Sequence, residues 1–295
     1  MAASSKIAVP ASGITRLPVQ KMAAEIITRS VDPVAVEQPL EIRILHGPAG
    51  GRQEQTLAIT MRTPGNDEEL AIGWLFTEGI ISAEAAANIQ GPNTPTAVAS
   101  ISSPNTAAAN NTITIPLPES LHPDLTRSQR HSYTTSSCGI CGKTTLDNLY
   151  TKTKNTDTTN LTIPAAVLYT LPDLLRKGQD IFDATGGLHA AGLFTGTGQL
   201  LALREDIGRH NALDKLIGHA LKQALPLNKT ILLLSGRACF ELIQKAAMAG
   251  IRMVAAVGPP SSLAVEYAEE TGITLVGFLR QHRCNIYTGA DRIQI

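Results

Sequence analysis

Beyond residue 186 the sequence alternates short apolar runs with longer amphipathic ones, and no other feature constrains the fold as much. Residues 188–194 and 200–204 read as two strands joined through Gly196-Thr197-Gly198. A helix over 209–225, a strand over 230–234, a helix over 240–249, a strand over 252–256, a helix over 263–271 and a strand over 274–278 follow. Strands alternating with helices of this length build βαβ units. The expectation is a three-layer α/β domain whose mixed, largely parallel sheet is covered on both faces, entered through a helix over 164–176.

The first half is less regular. Strands are expected over 23–28, 40–45 and 55–61, and a helix over 67–81 with Leu70, Ile72, Trp74, Leu75 and Phe76 as its apolar positions. A helix remnant and a surface excursion fill 83–111, and a short strand covers 112–117. The chain then divides into a loose arm (1–20), a β-rich N-terminal portion with one helix (21–135), a mobile loop (136–160) and an α/β ligand-binding domain (161–295).

That loop carries the most reactive chemistry. Between residues 118 and 160 apolar periodicity nearly vanishes, and Ser136-Ser137-Cys138-Gly139-Ile140-Cys141-Gly142-Lys143 places a Cys-x-x-Cys among glycines. Thiol reactivity follows pKa and exposure, and Lys143 favours the thiolate. Long loops without structure of their own are functional or disordered. Four cysteines in 295 residues are no disulfide framework. In a reducing compartment such a pair is catalytic or metal-binding. Cys239 and Cys284 stand alone and read as small packing residues.

Several functions are argued against. Lys plus Arg equal Asp plus Glu at 25 each, so a general nucleic-acid binder is not expected. The longest apolar runs, 230–234 and 251–257, are too short to cross a bilayer. Residues 1–21 lack the basic and apolar regions of a secretory signal, which places the chain in the cytoplasm. No dinucleotide-binding Gly-x-Gly-x-x-Gly opens a helix, and no P-loop is present.

Ligands of open α/β sheets sit beyond the carboxyl ends of strands, at helix N-termini that favour anions. Three junctions here are suited to this. Arg204-Glu205-Asp206-Ile207-Gly208-Arg209-His210-Asn211 crowds six polar side chains into eight positions; Ser235-Gly236-Arg237 offers a cap and a cation; Gly258-Pro259-Pro260-Ser261 is the third. Any one of them is equally a capped, solvated helix start, but three on one edge point to a cleft. His189, flanked by small residues, reads first as a packed histidine. A zinc site would need it beside Cys138 and Cys141 with a position for water. Zinc deaminases pair His-x-Glu with Pro-Cys-x-x-Cys, whereas here Ala191 stands where the Glu would be, so no metal is expected. Finally, Phe278-Leu279-Arg280-Gln281-His282-Arg283 combines a ring with cations able to stack a base and hold phosphate, although a solvated strand end would look the same.

Taken together, these segments resemble the FdhD family, the formate dehydrogenase accessory sulfurtransferases. The resemblance rests on Thr63-Pro64-Gly65-Asn66-Asp67-Glu68-Glu69-Leu70, Ser137-Cys138-Gly139-Ile140-Cys141-Gly142, Gly186-Gly187-Leu188-His189, the run from Arg204 to Lys215, Ser235-Gly236-Arg237 and Gly277-Phe278-Leu279-Arg280. It implies a cytidine-deaminase-like fold without zinc chemistry, and a homodimer. It further implies a sulfurtransferase that accepts sulfur from a cysteine desulfurase as a persulfide. That sulfur would pass to the molybdenum (or tungsten) bis-guanine-dinucleotide cofactor, bound as substrate, on behalf of the formate dehydrogenase apoenzyme. On this basis Cys138 is the persulfide carrier, Cys141 its partner, and Phe278 to Arg283 the contact for the guanine dinucleotide, which a guanine nucleotide would partly mimic. Ser235, Gly236, Arg237, Arg209, His210 and His189 complete the expected cofactor site. A cofactor-binding chaperone and a structural zinc protein remain as alternatives.

Overall fold

The computed structural model describes residues 13–89, 111–123, 125 and 161–295. It opens on a two-stranded antiparallel ribbon, β1 (Ile14–Ala23) and β2 (Ile26–Ala35), which turns at Ala24 with φ of 55°. Two sequence expectations fail here. Residues 14–20 are strand rather than loose arm, and the strand expected over 23–28 straddles the turn. The apolar residues of the ribbon alternate too little to reveal it, because most of them meet no core: Met22, Ile26, Ile27 and Val31 are exposed.

β3 (Gln38–His46) pairs antiparallel with β4 (Gln53–Arg62) and parallel with β5 (Thr112–Pro116) in a second sheet. Helix α1 (Asp67–Thr77) and the short α2 (Ala83–Asn88) follow β4. Three acidic residues occupy the first turn of α1, where they favour the positive end of the helix dipole.

The second half contains β6 (Ile163–Pro164), α3 (Ala165–Leu168), α4 (Leu171–Lys177), α5 (Asp180–Thr185), β7 (His189–Phe194), β8 (Leu200–Asp206) and α6 (Arg209–Lys222). After these come β9 (Ile231–Leu234), α7 (Phe240–Met248), β10 (Met253–Ala256), α8 (Ser262–Thr271), β11 (Thr274–Arg280), β12 (Arg283–Thr288) and β13 (Ile293–Gln294). The helix expected over 164–176 is broken into α3 and α4, with Pro172 in the first turn of the second. The strand expected to stop at 278 runs to Arg280 and returns as β12.

The main sheet has the order β12-β11-β10-β9-β7-β8. Only the β9–β10 and β10–β11 pairings are parallel; β12 and β7 join antiparallel, and β7–β8 is a hairpin. The sheet is therefore mixed, but not largely parallel. A strand of a hairpin carries the same apolar pattern whichever way it joins its neighbour, so direction was hidden from the pattern. Successive residues alternate faces: Leu232, Leu234, Val254 and Ala256 meet α6 and α7, while Ile231, Leu233, Met253 and Ala255 meet α3 and α4. Among the described residues no helix is long and apolar enough to cross a membrane.

The N-terminal portion is joined to this sheet through α1 and α6. Gly73 and Gly218 face each other so closely that a Cβ on either would lie 1.9 Å from a backbone oxygen of the other helix. Leu70, Ile72 and Leu75 of α1 are fully buried in the same core as Leu216 and Ile217 of α6. Each such side chain stabilises the fold by about 1.5–3 kcal/mol. Buried ion pairs complete the seam. Lys215 reaches Asp206 at 2.7 Å and the Thr63 carbonyl at 2.8 Å; Lys245 reaches Asp214 at 3.0 Å and Thr77 at 2.8 Å.

Candidate functional site

The functional edge follows from strand direction. Because β8 and β9 both oppose β7, they run the same way as β10 and β11, and all four end on one side of the sheet. β7 and β12 begin on that side. His189 at the start of β7, Ser235 after β9, Leu279 and Arg280 at the end of β11 and Arg283 at the start of β12 are thus drawn together. They line one cleft of about 840 Å³, together with Gly236 and Gln281. This volume lies within the range usual for ligand pockets, about 300–1,000 Å³.

The backbone beyond the strands is tied across the edge. Ser235 N–H donates to Ala190 O at 2.9 Å, Gly258 N–H to Gly236 O at 2.9 Å, and Phe278 N–H to Gly258 O at 3.1 Å. The Ser235 hydroxyl accepts from Ala190 N–H at 2.8 Å, so it braces β7 and does not cap a helix as the sequence suggested. Ser261 does cap: its hydroxyl accepts from Ala264 N–H at 3.3 Å.

Arg280 and Arg283 line the cleft together with Asp173, and Arg209 and Arg237 stand close to it. Among the described residues no carboxylate pairs with Arg209, Arg237, Arg280 or Arg283. The buried Nε of Arg209 has no hydrogen-bond partner there. His189 is pulled below the ordinary imidazole range, first by burial and then by the charges of Arg209 and Arg237. Both effects favour the uncharged ring, and His189 lines the cleft.

Other predicted residues lie elsewhere. Phe278 is 39% exposed at φ of 51°, outside the cleft lining. A left-handed aromatic residue stores strain, as is common at binding edges. His282 (φ 61°) lines a smaller adjoining depression of about 500 Å³ with Tyr169, Asp173 and Gln281. Arg209, His210 and Arg237 are near enough to His189 for electrostatic contact but do not line the cleft. Cys138 and Cys141 lie outside the described residues.

The run from Arg204 to Lys215 proves chiefly structural. Arg204 grips Glu69 through two hydrogen bonds of 2.6 and 2.8 Å. Glu205 accepts from the backbone of Ile181 and Phe182, Asp206 from Thr63 N–H and Gly208 N–H, and Asn211 donates to the Met61 carbonyl. Burial pushes the Asp206 carboxyl upward against the pull of Lys215.

Two features escaped the sequence reading. The first is the wall formed by α4 and α5, where the Arg176 guanidinium lies 4.6 Å over the Phe182 ring and pairs with Asp183. The second corrects the reading of Cys239 as an isolated packing residue: its sulfur lies 3.4 Å from His210 Nε2. Burial alone would lower the His210 pKa, but contacts with Cys239 and Glu241 raise it. The Glu241 carboxyl is held down at about 2, foremost by His210.

Comparison with known proteins agrees with this architecture. The profile of the FdhD/NarQ family matches residues 35–294. The chain is 48% identical over 277 residues to the sulfur carrier protein FdhD of Streptomyces coelicolor, covering 90% of each chain. It is 40% identical over 268 residues to the protein of the same name from Thermoplasma volcanium, again covering 90% of each. A crystal structure described as a formate dehydrogenase accessory protein from Desulfotalea psychrophila superposes with a TM-score of 0.70 at 21% identity, over 95% of this chain and 99% of that one. The chain belongs to the FdhD/NarQ family.

Proposed function

We propose that this protein is a sulfurtransferase serving formate dehydrogenase. A cysteine desulfurase persulfide transfers its terminal sulfur to the Cys138 thiolate, breaking its own S–S bond and releasing the desulfurase thiolate. The substrate that receives this sulfur is the molybdenum or tungsten bis-guanine-dinucleotide cofactor, held in the cleft. Attack of the Cys141 thiolate on the Cys138 sulfur then yields a disulfide and frees sulfide for the metal. A thiol reductant afterwards restores the pair. A relation of the fold to the cytidine deaminases belongs to the same proposal, and rests on a hairpin at one sheet edge followed by βαβ strands.

The observation that carries this reading is the cleft itself: Arg280 and Arg283, which have no carboxylate partner among the described residues, stand on the side where β8 to β11 end, beside His189 and backbone polar groups. Such an edge suits a ligand with several phosphates and flat bases. GDP is expected to bind there. Arg280→Ala and Arg283→Ala should each weaken it by about 10–100-fold, the scale of one charged hydrogen bond. Fluorescence titration measures this, and equal affinity in all three proteins would refute the placement. Sulfur loading is tested by intact-mass spectrometry after incubation with an active desulfurase and L-cysteine. A reductant-sensitive gain of one sulfur atom is expected, whereas its absence would favour a cofactor chaperone.

The proposal includes a homodimer joined through the β1–β2 ribbon. A two-stranded hairpin alone is marginal in water. This one nevertheless extends ten residues per strand and exposes Met22 at 74% and Ile26 at 69%. Light scattering should give twice the 31.2 kDa chain mass. An Ile26→Lys, Ile27→Lys variant should give the single-chain mass.

A further inference from the structure

We propose that His210, Cys239 and Glu241, none of which lines the cleft, form a zinc site. His210 is the second residue of α6, Cys239 occupies the N-cap position of α7, and Glu241 is the second residue of α7. The two helices start from the same edge of the sheet, so residues 29 apart in sequence converge. Sγ lies 3.4 Å from Nε2, Nε2 lies 3.9 Å from the Glu241 carboxylate, and the three ligand atoms all fall within 4.8 Å of one another. A tetrahedral zinc ion with bonds of roughly 2.0–2.3 Å separates its ligands by about 3.5 Å, so small side-chain movements would close the site. A thiolate, an imidazole and a carboxylate are the donor types that zinc takes.

The charges and burial fit. His210 and Glu241 are 6% and 7% exposed, and Cys239 is half-buried. A thiolate and a carboxylate neutralise the dication next to Arg209, whose charge would otherwise oppose it. A nucleophilic triad is the competing geometry, but there the carboxylate holds the ring nitrogen that faces away from the thiol. Here sulfur and carboxylate share Nε2, while the buried Nδ1 has no partner among the described residues. With no outer acceptor on the histidine among the described residues, affinity should be about 10–100-fold below that of a fully supported site. Ala212 stands two residues after His210, so the deaminase carboxylate is missing there, and the site is one that holds an ion.

The test removes the competing thiols first. Full-length Cys138→Ser, Cys141→Ser protein, stripped with a chelator, is titrated with zinc against a chromophoric chelator. One equivalent should bind, releasing protons from the thiol and imidazole. Cobalt(II) should give the intense near-ultraviolet charge-transfer band of a thiolate ligand. Adding Cys239→Ser should abolish that band and weaken zinc by 10-fold or more, and Glu241→Gln should weaken zinc while retaining the band. Circular dichroism establishes that each variant is folded. Absence of uptake in the parent, or uptake unaffected by Cys239→Ser in a folded protein, would overturn the assignment.

Discussion

Replacing Cys138 by Ala is expected to reduce activation of formate dehydrogenase by about 10³-fold or more, the scale of losing an activated nucleophile. In this mechanism every sulfur atom passes through that thiolate, and neither Cys239 nor Cys284 stands in the same glycine-flanked context. The variant should gain no sulfur when incubated with desulfurase and L-cysteine. Its melting transition should survive, because among the described residues both apolar cores close without residues 126–160. Cys141→Ala separates the two thiols: it should still load one sulfur but turn over slowly, since the group that resolves the persulfide is gone. Loading lost in Cys141→Ala and kept in Cys138→Ala would exchange the assigned roles. Full activation by Cys138→Ala would remove the persulfide from the mechanism altogether.

How much could be read in advance depends on where each signal lives. Ile231–Leu234 and Met253–Ala256 are buried on both faces, and a short apolar run between helical patterns announces such strands. The cleft was legible for a related reason, since Ser235 and Gly236 directly follow β9 and Arg280 ends β11. The β1–β2 ribbon was not, because none of its residues is fully buried and it turns at Ala24 without a glycine. β12 was missed because Arg283–Thr288 is mostly exposed and carries no apolar stripe. The His210–Cys239 contact and the α1–α6 crossing depend on topology, which brings together positions 29 and 145 residues apart. No local pattern encodes such meetings. The run from Arg204 to Lys215 shows the opposite error. Its density of charge suggested ligand binding, yet most of its members are spent on internal partners such as Glu69, Thr63 and Lys245.

The α1–α6 crossing carries the largest stability effect expected of a single methyl group in this protein. At Gly73 an added Cβ would lie 1.9 Å from the Asp214 carbonyl oxygen and 2.9 Å from Gly218 N. At Gly218 it would lie 1.9 Å from the Glu69 carbonyl oxygen. Overpacking among side chains costs about 1–3 kcal/mol because they can rotate aside. Here the obstacle is helix backbone, so the helices must separate and surrender contacts of Leu70, Ile72, Leu216 and Ile217. The expected cost for Gly73→Ala is about 4–5 kcal/mol, after roughly 1 kcal/mol is returned by the better helix propensity of alanine. In a domain of this size that lowers Tm by roughly 10 °C or more. Gly218→Ala should cost as much, but the double variant should cost clearly less than the sum, because one separation of the helices relieves both clashes. Calorimetry on the four proteins completes the cycle. An unchanged or raised Tm in Gly73→Ala would mean that the helices part freely and that the crossing is not a constraint. The same separation should reach the site: α6 begins three residues after Asp206, which pairs with His189 across the β7–β8 hairpin. GDP affinity, measured well below the melting transition, should therefore fall in Gly73→Ala, although Gly73 touches nothing in the cleft.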